Sequence, residues 1–175
     1  EDWGIVEGLL MKYKVKESFR NGRALNNVQM LICDVDGTLT DGRLYLDENG
    51  NERMAFNKRD GKGFELLRKL NIRTIWITSE EMADVSRIRA EKLQIDYFIE
   101  NCKDKISEIE KICAKEKISL DNVAYIGDDI NCMLPLENVK YPFCPNDAEE
   151  RIKAVPNIYV CNKDGGHGCV REVIN

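Results

Sequence analysis

Four apolar runs of strand length punctuate the chain from residue 29 onward, QMLICDV (29–35), IRTIWIT (72–78), IDYFIE (95–100) and NVAYIGDD (122–129), the last running into a pair of acids. Segments of helical period separate them: Phe64, Leu67 and Leu70 recur in one, Met82, Val85, Ile88 and Leu93 in the next, and Ile106, Ile109, Ile112 and Cys113 in the third. Residues 139–143, a short helix over 147–155 and a run at 157–160 continue the alternation. KDGGHGCVREVIN closes it with a Gly-rich loop and a last helical turn or two. Strand and helix in alternation predict a Rossmann-like, three-layer α/β fold, a parallel sheet with helices on both faces. One interruption is expected. RLYL (43–46) and RMAF (53–56) alternate around DENGN, whose Asn-Gly favours a hairpin turn, so a β-hairpin is inserted after the first strand.

In sheets of this kind ligands bind outside the carboxyl ends of the strands. Asp34, Asp36, Thr78 and Asp128 all fall at such ends although they lie far apart in sequence. Asp34 and Asp36 are two apart, so the side chain of one and the backbone carbonyl near the other can face a single cation. With Asp128 they offer hard oxygen ligands of the kind magnesium accepts while keeping several waters. Thr78 adds a hydroxyl, and Lys105 at a helix start adds a fixed positive charge, with Lys103 as the alternative. A phosphoryl group in transfer needs in-line attack and neutralisation of its equatorial oxygens, which a metal, a lysine and a hydroxyl supply. An aspartate can itself attack phosphorus.

Composition narrows the rest. A single domain of 175 residues buries roughly 70% of the surface that its unfolded chain exposes, enough for a core without staples. The net charge of −5 and the scatter of Lys and Arg along helices leave no nucleic-acid footprint. The longest apolar runs are strand-sized, too short to span a membrane, so a soluble cytoplasmic protein is expected. Seven cysteines with no C-x-x-C pair read as reduced core thiols, and Cys161, His167 and Cys169 match no standard zinc spacing.

The motifs DVDGTLTDG (34–42), Thr78 after a buried strand, Lys105 in KDKIS, and GDD (127–129) together resemble the four motifs of the haloacid dehalogenase superfamily of phosphohydrolases. The resemblance implies Asp34 as nucleophile and Asp36 as general acid and base. It implies that Thr78 and Lys105 bind the phosphoryl group, and that Asp34, Asp36 and Asp128 hold Mg2+ with Asp129 in support. Thr38, Asp60, Gly61, Ser79 and Arg171 are the expected substrate contacts, Arg171 through closure of the Gly-rich loop over a substrate carboxylate. TDGRLY (40–45), FNKRDGKGFELL (56–67), RAEKLQIDY (89–97), YIGDDIN (125–131) and GGHGCVRE (165–172) are similar to the capless branch that acts on 3-deoxy-manno-octulosonate 8-phosphate and acylneuraminate 9-phosphates. That branch implies a phosphorylated keto-sugar acid as substrate and a homotetramer built through the hairpins. Two departures from its pattern stand out: Cys132 where an acid commonly follows Asn131, and Ser79-Glu80 where Gly commonly follows the motif Thr.

Residues 1–28 are expected to form a separate N-terminal helical extension or linker, with the phosphatase-like domain over 29–175. EDWGIVEGLLMKY resembles the closing helix of acylneuraminate cytidylyltransferases, so the chain reads as part of a longer or fused synthetase, or its partner. A non-catalytic oligomerisation domain of such a synthetase is the rival function. A phosphorylation receiver is a second rival, but it would place its acidic pair and its phosphorylated aspartate on different strands.

Overall fold

The computed structural model describes residues 27–175. The extension expected over 1–28 lies, but for its last two residues, outside them.

Strand β1 (Met30–Asp34) runs up the centre of a six-stranded sheet. Its pleat divides its side chains between two cores: Met30 and Ile32 join one face, Leu31 and Cys33 the other. β4 (Arg73–Ile77) repeats this, with Ile75 and Ile77 on the first face and Trp76 on the second, as does β6 (Val123–Ile126), with Val123 and Tyr125 opposite Ala124 and Ile126. Strands apolar on both faces require cover on both faces, which is why these runs lack the polar alternation of a half-exposed sheet. With β5 (Tyr97–Ile99), β7 (Tyr141–Cys144) and β8 (Tyr159–Val160) the order is β5-β4-β1-β6-β7-β8, every pair parallel. Chain order therefore reverses between β1 and β6. The crevice above that reversal is the place where such a sheet receives ligands, and β1 and β6 deliver Asp34 and Asp128 to it.

The hairpin is present but short. β2 (Tyr45–Leu46) pairs antiparallel with β3 (Glu52–Arg53), and Asp47 accepts from the backbone N–H groups of Asn49 and Asn51 to close the turn. Leu44, Tyr45 and Leu46 are all exposed.

Helix α1 (Lys58–Lys69) starts on Asn57, whose side chain accepts from Arg59 N–H, and buries Phe64, Leu66 and Leu67. Phe64 meets Trp76 edge-on at 5.4 Å, and Phe56 stacks on the same indole at 5.8 Å. Helix α3 (Lys105–Glu116) starts on Asp104, which accepts from Ser107 N–H, and buries Ile109, Ile112 and Cys113. Short helices α4 (Met133–Asn138), α5 (Glu150–Lys153) and α6 (Cys169–Ile174) complete the layers.

Helix α2 (Asp84–Leu93) departs from the sequence reading. Met82 and Ile88, expected on its inner face, are 77% and 66% exposed, and the buried positions are Ser86 and Ala90. Met82 lies before the first turn of the helix, Ile88 is turned outward, and Leu93 still packs against the core beside Ala90. All seven cysteines are buried and none is in a disulfide.

Candidate active site

β1 ends in a tight loop that fixes the two acids differently. Asp34 completes the strand and is 3% exposed, whereas Asp36 follows in extended conformation and borders a cavity. Gly37 then turns the chain with φ +78°, and the loop closes where Thr40 N–H donates to the Val35 carbonyl. A Cβ on Gly37 would lie 1.9 Å from Asp128 Oδ2. The position thus needs glycine twice over, for its left-handed backbone and for the approach of the second carboxylate.

Asp34 is held on both oxygens. Oδ1 accepts from Val35 N–H at 2.9 Å and from Lys105 Nζ at 2.8 Å, and Oδ2 accepts from the Cys132 thiol at 2.9 Å. Burial by itself would lower the Lys105 pKa, but the Asp34 carboxylate and the Cys132 sulfur together outweigh it and leave the ammonium above its ordinary value. Burial, then the charge of Asp34, pushes the Cys132 thiol well above its ordinary range, so it stays a donor. Its sulfur in turn receives Tyr125 Oη at 3.3 Å and Lys105 Nζ at 3.4 Å. Gly127 makes room for this contact, since a Cβ there would lie 2.5 Å from Cys132 Sγ.

Asp36 Oδ2 accepts from the Thr78 hydroxyl at 2.9 Å, and that hydroxyl accepts from Glu80 N–H at 3.1 Å. Burial raises the Asp36 pKa; the Thr78 bond opposes this and the nearby Asp34 charge adds to it. Asp128 Oδ1 accepts from the Thr38 hydroxyl at 3.2 Å, and burial, then the Asp34 charge, pushes its carboxyl up to about 7. Asp34, Asp36, Thr78, Ser79, Asp128 and Asp129 line one cavity of about 280 Å³.

Four of the expected substrate contacts lie away from this cavity. Thr38 is fully buried and spends its hydroxyl on Asp128, so it supports that carboxylate rather than facing the cavity. Asp60, Gly61 and Arg171 do not line the cavity. Asp60 is 2% exposed, and its Oδ1 accepts from Arg171 N–H at 2.7 Å, which ties α1 to α6, while Arg171 Nε donates to Asn175. The Gly-rich loop is likewise packed behind the loop that follows β1. Gly166 N–H donates to the Thr38 carbonyl at 2.9 Å, and Gly165 N–H donates to Asp147. The contact of Cys132 with Asp34 went unread in the sequence. Its only trace there is the departure from the expected acid.

Among the described residues no three His, Cys, Asp or Glu side chains cluster closely enough to enclose a metal ion unaided. Asp34, Asp36, Asp128 and Asp129 together line the cavity and offer it oxygen donors. That suits a hard cation that keeps its waters and takes oxygens from a bound phosphate, as magnesium does. The raised Asp128 pKa points the same way, because carboxylates sharing a hollow are relieved by a cation or by a proton.

The 3-deoxy-D-manno-octulosonate 8-phosphate phosphatase of Salmonella typhi is 36% identical over 148 residues, covering 84% of this chain and 77% of that protein. The chain belongs to this phosphatase family, within the haloacid dehalogenase superfamily. A crystal structure of the family's Moraxella catarrhalis member, in complex with magnesium, phosphate and KDO, superposes with a TM-score of 0.80 at 32% identity, covering 86% of this chain and 85% of that one. The N-acylneuraminate cytidylyltransferase A of Danio rerio is 29% identical over 98% of this chain, which spans 39% of that protein's length. No protein-family model matches. Family members are phosphoric monoester hydrolases by name.

Proposed function

We propose that this chain is a magnesium-dependent phosphatase that hydrolyses the phosphate ester of a keto-deoxy sugar acid through an aspartyl-phosphate on Asp34. The observation that carries the reading is the pairing of Asp34, locked by Lys105 and Val35 N–H, with Asp36, held by Thr78, on one cavity.

An Asp34 carboxylate oxygen attacks phosphorus, and the bond from phosphorus to the sugar oxygen breaks. That oxygen takes a proton from Asp36, whose Oδ2 is engaged by Thr78, leaving Oδ1 to carry the proton. Its raised pKa favours the acid form needed for this step. In the second half Asp36, now ionised, removes a proton from water, which attacks the phosphoryl group and releases phosphate and Asp34. Lys105 fixes the orientation of Asp34 throughout and offsets its charge. Magnesium, when bound by Asp34, Asp128 and the Asp36 carbonyl with Asp129 beside them, supplies positive charge against the phosphoryl oxygens.

The relatives named as 3-deoxy-D-manno-octulosonate 8-phosphate phosphatases favour that ester as substrate, and the sequence resemblance keeps an acylneuraminate 9-phosphate beside it. The test is phosphate release from both and from hexose phosphates. Turnover confined to a keto-sugar acid phosphate supports the reading, and preference for hexose phosphates overturns the substrate class. The match to the Danio rerio synthetase along nearly the whole chain favours a second reading, a non-catalytic assembly domain of a longer cytidylyltransferase. Absence of phosphate release from every ester would favour it.

We also assign a homotetramer built through the hairpin. Leu44, Tyr45 and Leu46 are 49%, 53% and 64% exposed, and Met82 nearby is 77% exposed, an apolar surface of the kind that marks protein contacts. Sedimentation as a monomer would remove this part. A cytoplasmic location agrees with seven cysteines free of disulfides, and no helix among the described residues is long and apolar enough to cross a membrane.

A further inference from the structure

A second hollow of about 140 Å³ opens beside the catalytic one and shares Asp36, Gly42 and Glu80 with it. Its walls come from the base of the hairpin and the start of α2: Arg43 and Leu44 on one side, Met54, Met82 and Ser86 on others. Asp36 stands at the junction, and the phosphatase reading makes it the donor to the leaving oxygen. The alcohol part of a phosphate ester, attached through that oxygen, must therefore extend from Asp36 toward this hollow.

Charge around the two hollows is uneven. Arg43 is the one cationic residue that lines them, and every other ionisable lining residue is an acid. Lys105 does not compensate, because its side chain is 1% exposed and is spent on Asp34 behind the cavity wall. The Arg43 backbone is fixed, since its N–H donates to Asp41 Oδ1 at 3.1 Å. Its guanidinium makes no ion pair among the described residues, although Glu52 and Glu80 line the same hollow. A lone arginine on a surface is ordinarily just solvated. This one is the single positive charge on a path that starts at the leaving oxygen and is otherwise lined with acids and methionines.

We propose that Arg43 is the specificity-determining residue for the leaving group and binds the carboxylate of the substrate. The inference rests on the phosphatase reading and deepens it: the phosphoryl end is held at Asp34 and Lys105, the acid end at Arg43. A planar guanidinium takes a carboxylate through two parallel hydrogen bonds, which an ammonium cannot reproduce. Acidic walls around it disfavour any second anionic group, so the site selects esters with one carboxylate remote from the phosphate. Met54, Ala83 and Val85 offer apolar surface to the carbon skeleton.

The experiment compares wild type with Arg43→Ala and Arg43→Lys on two esters, 3-deoxy-manno-octulosonate 8-phosphate and p-nitrophenyl phosphate, which lacks a carboxylate. The ratio of kcat/KM between the two should fall about 10- to 100-fold in Arg43→Ala, the loss appearing in KM, with partial recovery in Arg43→Lys. An unchanged ratio overturns the inference. Calorimetric binding of the free sugar acid, 3-deoxy-manno-octulosonate, gives a readout independent of turnover. Wild type should bind it and Arg43→Ala should bind it more weakly, and equal affinity or no binding by wild type overturns the proposal. Phosphate release from neither ester, with Arg43-dependent binding of the acid intact, would instead sink the phosphatase reading alone.

Discussion

Lys105 Nζ lies 2.8 Å from Asp34 Oδ1, with the two side chains 1% and 5% exposed, so an ion pair between α3 and the end of β1 is closed off from solvent. Each charge is tolerated there only because the other is present. Removal of one partner from a buried pair costs about 3–5 kcal/mol, because the survivor is left desolvated. Lys105→Met should therefore lower stability by that order in denaturant unfolding, and adding Asp34→Asn to it should recover much of the loss. Additive losses in the double variant would show that the pair does not act as a unit.

Asp36→Asn keeps the shape of the side chain and removes its proton chemistry. General acid–base catalysis contributes about 10²–10⁴-fold, so kcat with a sugar phosphate should drop by that factor. The drop should be smaller in the first step with p-nitrophenyl phosphate, whose leaving oxygen needs little protonation. Rapid-quench measurement of nitrophenolate release separates that step from the release of phosphate.

Gly37→Ala places a methyl group 1.9 Å from the present position of Asp128 Oδ2 on a backbone with φ +78°. Asp128 has to move, and it belongs to the set that would hold the metal. Magnesium affinity, read by titration of activity, should weaken at least about 10-fold, a loss typical for disturbed metal surroundings. Unaltered magnesium dependence would separate Asp128 from the metal.

Asp60 makes stability depend on pH. Burial, opposed in part by the Arg171 N–H bond, raises its carboxyl to about 6, and its Oδ2 is buried without a hydrogen-bond partner. A folded-state pKa above the unfolded value means that the stabilising contribution is full below about 4 and is lost as pH rises through about 6. Above that range the ionised Asp60 costs on the order of 3 kcal/mol relative to its protonated form. Asp60→Asn can keep the Oδ1 acceptor for Arg171 N–H and removes the titration. The Tm of the variant should gain on wild type between about pH 4 and about pH 8, and a parallel pair of curves would refute this assignment.

The sheet was legible because its strands are apolar on both faces, and a run such as LICD or TIWI has few other folds available to it. Asp34, Asp36, Thr78 and Asp128 were legible for the same reason: their places at strand ends follow from the strands. What stayed hidden depended on packing between distant segments. Cys132 reaches Asp34 only because Gly127 leaves space above β6. Asp60 and Arg171 lie 111 positions apart and meet through one backbone hydrogen bond that no periodicity announces. Helix α2 departs from its periodic pattern, because Ser86 and Ala90 are its buried positions, Ile88 faces outward and Met82 precedes its first turn. Arg43 drew no attention in the sequence, where an arginine before a hairpin is ordinary. Only the charge of its surroundings distinguishes it.

The decisive measurement is phosphate release from 3-deoxy-manno-octulosonate 8-phosphate with magnesium, with chelator, and with magnesium and Asp34→Asn. Turnover is expected in the first case alone. Release that persists in Asp34→Asn, or that is indifferent to the chelator, would contradict that expectation.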